Sequence, residues 1–192
     1  MHHLYRNNPG FGAVLLTAFI LFSGLNASAQ KSQDISASAM GTNQQLGKLV
    51  SIDLHINEYS TSADKAALME AFTEGGSEGL VNALDKMKSK GRVAITGTLG
   101  FDVNYIRQFD MPDGSRMIRF VTDRPISFAE HWGSARSMDY QISIGEIIIK
   151  KGKEKSTGRV IPAAKVKLNK EGEIEIEAFQ NPWNLVNIKV WK

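Results

Sequence analysis

Apolar and polar residues alternate strictly from Leu49 to Tyr59. Val50, Ile52, Leu54 and Ile56 fall on one face, and Ser51, Asp53, His55 and Asn57 on the other. A period of two predicts a strand half buried against a core. The period then lengthens. Thr61 or Ser62 can cap a helix, with Asp64 three residues after Thr61 as in a capping box. Leu68, Ala71 and Phe72 keep helical spacing up to Gly75-Gly76, where glycine allows the left-handed backbone that ends a helix. Ser77 opens a second helix striped by Leu80, Ala83, Leu84 and Met87, and Gly91 closes it. The Met and Phe positions of these stripes are core contacts.

From Arg92 onward the period returns to two. Strands are predicted at Val93–Thr98, Phe101–Met111, Arg116–Asp123, Met138–Lys150, Val160–Leu168, Glu173–Phe179 and Leu185–Trp191. Turn sequences such as Pro112-Asp113-Gly114 and Lys170-Glu171-Gly172 separate many of them. One hairpin can be registered residue by residue. With Lys170-Glu171-Gly172 as a three-residue loop, Leu168 faces Ile174 and Val166 faces Ile176. Lys167 then faces Glu175 and Lys165 faces Glu177 on the opposite side, and a one-residue slip would break all four pairs. The loop at Pro112-Asp113-Gly114 is compatible with two or three residues. The pattern is that of an α+β fold: mainly an antiparallel β-meander of about eight strands, barrel-like or a sandwich, with a two-helix insertion after the first strand. A barrel spanning an outer membrane fits poorly, because the helix pair is out of place and Ala178 stands where an aromatic girdle would.

The N-terminus has a different character. Arg6 precedes an apolar run from Phe11 through Leu25, and Ala27-Ser28-Ala29 supplies the small-x-small pattern of a peptidase site. The run falls short of the roughly 20 residues that cross a membrane. Residues 1–29 are therefore expected to be a signal peptide cleaved near Ala29-Gln30, leaving no membrane-spanning segment. Residues 30–47, rich in Ser, Gln, Ala and Asn, are expected to be a flexible tether, and 48–192 a single domain. The chain has no cysteine, which excludes disulfides, thiolate metal sites and lipid attachment at an N-terminal cysteine. A cysteine-free exported domain of this size points to a secreted or periplasmic bacterial protein. The net charge of +3 is nearly balanced and argues against nucleic-acid binding. The densest basic stretch, Lys150, Lys151, Lys153 and Lys155, is read as a solvated hairpin tip.

Candidate chemistry gathers in one region: Asp123, Arg124, Glu130, His131, Trp132, Arg136, Asp139 and Tyr140. Two carboxylates flanking a histidine are the ingredients of acid–base work, but no nucleophile elbow or metal-ligand repeat accompanies them, so no catalytic residue is assigned. The structural reading has Asp123 capping a turn, Arg124 pairing with Glu130 or Asp139, and Trp132 anchoring a loop. Two histidines survive signal removal, His55 and His131, too few for a zinc site without several carboxylates. Asp53 and His55 share a strand face and are read as an exposed pair. No cofactor is implied, since no glycine-rich loop opens a helix.

The strings GSEGLVNALDKMKSKGRV, GTLGFDVNYIRQ, TDRPISF and GRVIPAAKVKLNKEGEIEIEAF resemble a group of exported bacterial proteins of unknown function. The resemblance runs from about Leu49 onward. It departs at Glu177-Ala178-Phe179, where that group carries Glu-Asn-Tyr. It implies an exported single domain and no particular activity. The leading expectation is a non-enzymatic protein that binds a small apolar ligand or a partner surface, such as another envelope protein. The alternatives are a structural or assembly protein of the bacterial envelope without a ligand, and a hydrolase-like enzyme using Asp123, Glu130 and His131.

Overall fold

The computed structural model describes residues 32–128 and 139–191, so the expected signal peptide lies outside the described residues. In chain order the elements are β1 (Gln33–Met40), β2 (Leu49–Ile56), α1 (Ser62–Lys86), β3 (Gly91–Ile95), β4 (Phe101–Asp110), β5 (Arg116–Thr122), β6 (Ile142–Ile149), β7 (Thr157–Leu168), β8 (Ile174–Ala178) and β9 (Trp183–Trp191). The sheet order is β6-β5-β4-β3-β2-β1-β9-β7-β8, and β6 also pairs with β7. Eight strands thus close into an antiparallel barrel, which settles barrel against sandwich. β8 lies outside the ring. The long β7 makes this possible: Gly158–Val160 pair with β9, and Ala164–Leu168 pair with β8.

The meander and the registered hairpin are as the sequence predicts. Leu168 opposes Ile174, Val166 opposes Ile176, Lys167 opposes Glu175 and Lys165 opposes Glu177. At Pro112-Asp113-Gly114 the loop has three residues, since the Met111 N–H bonds to the Ser115 carbonyl and Gly114 adopts φ 76°.

Two expectations are corrected. The segment read as a tether contains β1, which pairs with β2 on one edge and β9 on the other and so closes the barrel. Its inward residues are Ile35, Ala37 and Ala39, and Ser36 and Ser38 point outward. Two alanines among serines bury little apolar area, which is why the alternation reads as polar sequence. The helix pair is one helical element, α1, and it follows the second strand of the fold. Gly76, at φ 59° and ψ −144°, breaks its backbone without ending it. A glycine pair here makes a kink.

Alternation sorts the side chains into two layers. Inside the barrel lie Ile35, Ile52, Leu54, Ile56, Ile106, Ile118, Phe120, Ile147, Trp183 and Leu185 among others. Phe120 packs against Gly145 in the cross-strand pair Phe120–Gly145, where a side chain would overlap the end of the ring. On the outer wall, Leu68, Phe72 and Leu84 of α1 cover Ile142, Ala164 and Val166, with Tyr105, Val121, Ile144 and Ile161 at the margin.

The start of α1 is held by a reciprocal cap. The Asp64 N–H donates to Thr61 Oγ1 at 3.1 Å, and the Thr61 N–H donates to Asp64 Oδ2 at 2.7 Å. The Thr61 N–H bond is the main reason that the Asp64 carboxyl titrates below its ordinary value, with Lys90 assisting. A depressed carboxyl stabilises the fold above the unfolded value and loses that contribution as pH falls through the folded one. Asp64→Ala is therefore expected to cost about 1 kcal/mol at pH 7. Urea titrations should show the gap to wild type closing once pH drops below 3.8. A gap that persists undiminished at pH 2 would contradict this account.

Candidate functional site

The region singled out for chemistry separates into parts with different partners. Arg124 Nε and one terminal nitrogen donate to the two carboxylate oxygens of Asp123 at 3.1 and 3.2 Å, and this bond is the main cause of the raised Arg124 pKa. The backbone around them is anchored from below. Thr122 Oγ1 donates to the Arg124 carbonyl at 2.6 Å and accepts the Ser143 N–H at 2.9 Å. Ser143 Oγ accepts the Ile126 N–H and donates to the Pro162 carbonyl, both at 2.6 Å. These bonds turn Ile126 and Phe128 into the barrel, where Phe128 stacks on Trp183 with ring centroids 4.7 Å apart. The Thr122–Phe128 stretch works as an anchor. Glu130, His131, Trp132 and Arg136 lie outside the described residues.

Asp139 and Tyr140 precede β6, and Tyr140 turns toward the β7–β8 hairpin. Its hydroxyl donates to Glu177 at 2.6 Å, and Lys167 Nζ reaches the same carboxylate at 3.0 Å. The Tyr140 bond, then the Lys167 bond, hold the Glu177 carboxyl below its ordinary value, and the Glu177 bond raises the Tyr140 hydroxyl. The Tyr140 ring also leans on Phe179, with centroids 5.3 Å apart and planes at 42°.

Phe179 leads to the feature that sequence reasoning missed. Between β8 and β9 the chain takes five steps, Ala178 to Trp183, against four on the facing β7, Ala164 to Val160. The surplus residue makes a bulge, and Pro182 cannot donate a ladder hydrogen bond there. The bulge opens a groove of about 380 Å³ lined by Gln45, Ala178, Phe179, Gln180, Asn181 and Pro182. Its far wall is the short 3-10 turn Asn43–Gln45 between β1 and β2. Thr42 Oγ1 ties that turn to the Pro182 carbonyl at 2.7 Å, and Gln45 Nε2 approaches Gln180 Oε1 at 3.5 Å. Gly41 lets the turn fold back this closely, since a side chain there would strike the Gln45 backbone. Every lining side chain is uncharged. Gln45 Oε1 is buried and meets no donor among the described residues. Phe179 stays 43% exposed although the Phe179 N–H is fixed to the Ala163 carbonyl. In the sequence, Gln180-Asn181-Pro182 looks like any turn between strands, and Gln45 sits in the stretch read as tether.

Asp53 and His55 do lie on one outward strand face, and each has local partners. His55 Nδ1 faces Asp34 at 2.5 Å and Nε2 faces Asn57 Oδ1 at 2.9 Å. Asp53 accepts from Ser36 Oγ and Thr96 Oγ1, both at 2.7 Å. Among the described residues there is no group of three or more His, Asp or Glu side chains arranged to hold a metal. None of the described helices is long and apolar enough to cross a membrane. No family model, curated protein or solved structure matches this chain.

Proposed function

We propose that this chain is a non-enzymatic binding protein, exported after removal of residues 1–29, which holds a small neutral ligand in the groove at the β8–β9 bulge. The observation that carries the reading is the contrast between two spaces. The described barrel interior is occupied by its own side chains, with Phe120 against Gly145 and Phe128 stacked on Trp183. The groove on the wall offers room near the lower end of typical small-molecule sites, and its lining includes one aromatic ring and three side-chain amides. An apolar guest inside the barrel has correspondingly less support, and so has catalysis by Asp123, whose carboxylate is already spanned by Arg124.

The test is saturation-transfer NMR with a library of uncharged fragments. Fragments are expected to bind at the groove, and Phe179→Ala is expected to weaken them about tenfold, the worth of one aromatic contact. Wild type that binds nothing, or a variant that keeps every hit at full strength, would overturn the reading.

A second reading, docking of a partner protein, draws on the hairpin tip. Leu168, Ile174 and Ile176 share one face there and are each about half exposed. Self-pairing along the free β8 edge is opposed by Glu175 and Glu177, because antiparallel β8 strands from two copies place glutamate opposite glutamate.

A further inference from the structure

We infer that the outer wall of the barrel carries a second binding site, which takes a phosphate monoester on Arg107 and Arg119. It is built from other residues than the groove and does not depend on it. Four charged side chains stand in one row across consecutive strands. Arg107 of β4 pairs with Arg119 of β5, Arg119 with Glu146 of β6, and Glu146 with Arg159 of β7. Neighbouring strands lie about 4.8 Å apart, so the row sets three guanidinium groups beside a single carboxylate. Glu146 is shared. Arg119 Nε donates to one of its oxygens at 2.8 Å, and Arg159 approaches the other at 3.6 Å. Three arginines against one glutamate leave two positive charges over. Asp64 also acts on Tyr105, beside Arg107, but its carboxylate is engaged by the Thr61 cap and by Lys90 at 3.6 Å.

A wall built for stability alone would alternate its charges, as the Lys165–Glu177 and Lys167–Glu175 pairs of the β7–β8 hairpin do. Arg107 and Arg119 instead face each other directly, an unfavourable pairing of like charges. The fold nevertheless holds both in place. Their guanidinium carbons lie 5.8 and 5.7 Å from the centroid of one ring, Phe109, within cation–π reach. Arg119 is more than half exposed, and among the described residues it hydrogen-bonds only through Nε, so its two terminal nitrogens are left for a ligand. The rows on either side are apolar. Tyr105, Val121, Ile144 and Ile161 lie at the margin of α1, and Phe109, Met117 and Ile148 form the next row outward. Charges between such rows are screened less than on an open polar surface. A suitable ligand bridges the two forks and cancels their repulsion. A phosphate monoester does both, with a charge of about −1.5 to −2 at pH 7 and three acceptor oxygens. Guanidinium forks match those oxygens bidentately. A carboxylate, with one charge and two oxygens, fills only one fork. A soluble phosphate ester and the headgroup of a lipid phosphate present the same group.

Titration of the uniformly 15N-labelled protein with glycerol 3-phosphate tests this, with acetate and a short DNA duplex as comparisons. The ester is expected to shift the side-chain Nε–H signals of Arg107 and Arg119. Arg107→Gln and Arg119→Gln are each expected to weaken it about tenfold or more, the worth of one charge-assisted contact, while leaving the rest of the spectrum in place. Glu146→Gln, which removes the competing carboxylate, is expected to tighten it about threefold. A purely structural ion pair would not respond in that direction. Co-sedimentation with phosphatidylcholine vesicles, with and without about 20% phosphatidic acid, separates the sources. Sedimentation that needs phosphatidic acid and is lost in Arg119→Gln identifies a lipid headgroup, and binding of the soluble ester alone identifies a free phosphate. Arginine signals that stay in place, variants that keep full affinity, or a Glu146→Gln variant that binds no tighter would overturn the site. Acetate binding as tightly as the ester, or the duplex binding tighter on the same arginines, would overturn the assignment to a phosphate monoester.

Discussion

Gly145→Ala is expected to cost about 3 kcal/mol, the upper range for overpacking a closed core. The added methyl would overlap the Phe120 ring at Cζ and both Cε atoms, so the ring itself would have to leave its position. Phe120 is fully buried and pairs across strands with Gly145, flanked by Met117–Ile148 and Val121–Ile144 pairs that fix the register on either side. The β5–β6 ladder therefore resists sliding to make room. Urea denaturation should show a midpoint lowered by more than about 1 M, given the usual dependence of stability on denaturant. The mechanism has a signature of its own. Phe120→Leu should be destabilising alone, yet restore part of the loss when combined with Gly145→Ala, because the two changes share one volume. Strict additivity, or an unchanged midpoint in the single variant, would refute the close packing described for this pair.

Trp183→Ala is expected to be at least as damaging, at about 4 kcal/mol. The side chain is among the largest of the fully buried residues and stacks on Phe128. Truncation would leave a cavity and also release the one aromatic contact described for Phe128. Trp183→Phe should be much milder. It keeps a ring on Phe128, and the group it removes, the indole N–H, is buried without an acceptor among the described residues. Thermal unfolding of the two variants separates these effects. Equal losses for Ala and Phe would mean that the indole N–H matters more than the ring packing, contrary to this account.

Much of the fold is legible in the sequence because most strands use large residues on the buried face. Val50, Ile52, Leu54 and Ile56 announce β2, and the Lys–Glu and aliphatic pairs of β7 and β8 fix a register. β1 fails to announce itself because the barrel at that point needs small residues. Ala37 and Ala39 occupy inward positions, and the strand is selected by its two neighbours rather than by its own hydrophobicity. Gly75-Gly76 misled for a related reason. Glycine permits a helix to end and also permits it to kink, and packing of Leu68, Phe72 and Leu84 on one wall decides for the kink. Of the proposed site, Tyr140 was visible as an unusual polar position, and its contact with Phe179 was not. The groove depends on a turn at Gln45 meeting a bulge at Gln180, 135 positions later, and local pattern holds no trace of such a meeting.

The closure of the barrel by β1 against β9 also sets a timetable. Trp191 Nε1 donates to Ser36 Oγ across 155 positions, and Asp34 pairs with Trp191 in the same ladder. During synthesis β1 can find β2 almost at once, but its other edge must wait until nearly the whole described chain has been made. Until then the inward faces of the seven earlier barrel strands surround nothing that is shut, and the nascent chain has no complete native state to reach. Long-range pairing of this kind folds late and slowly. A chain that cannot close until its last strand appears stays open to whatever handles it first.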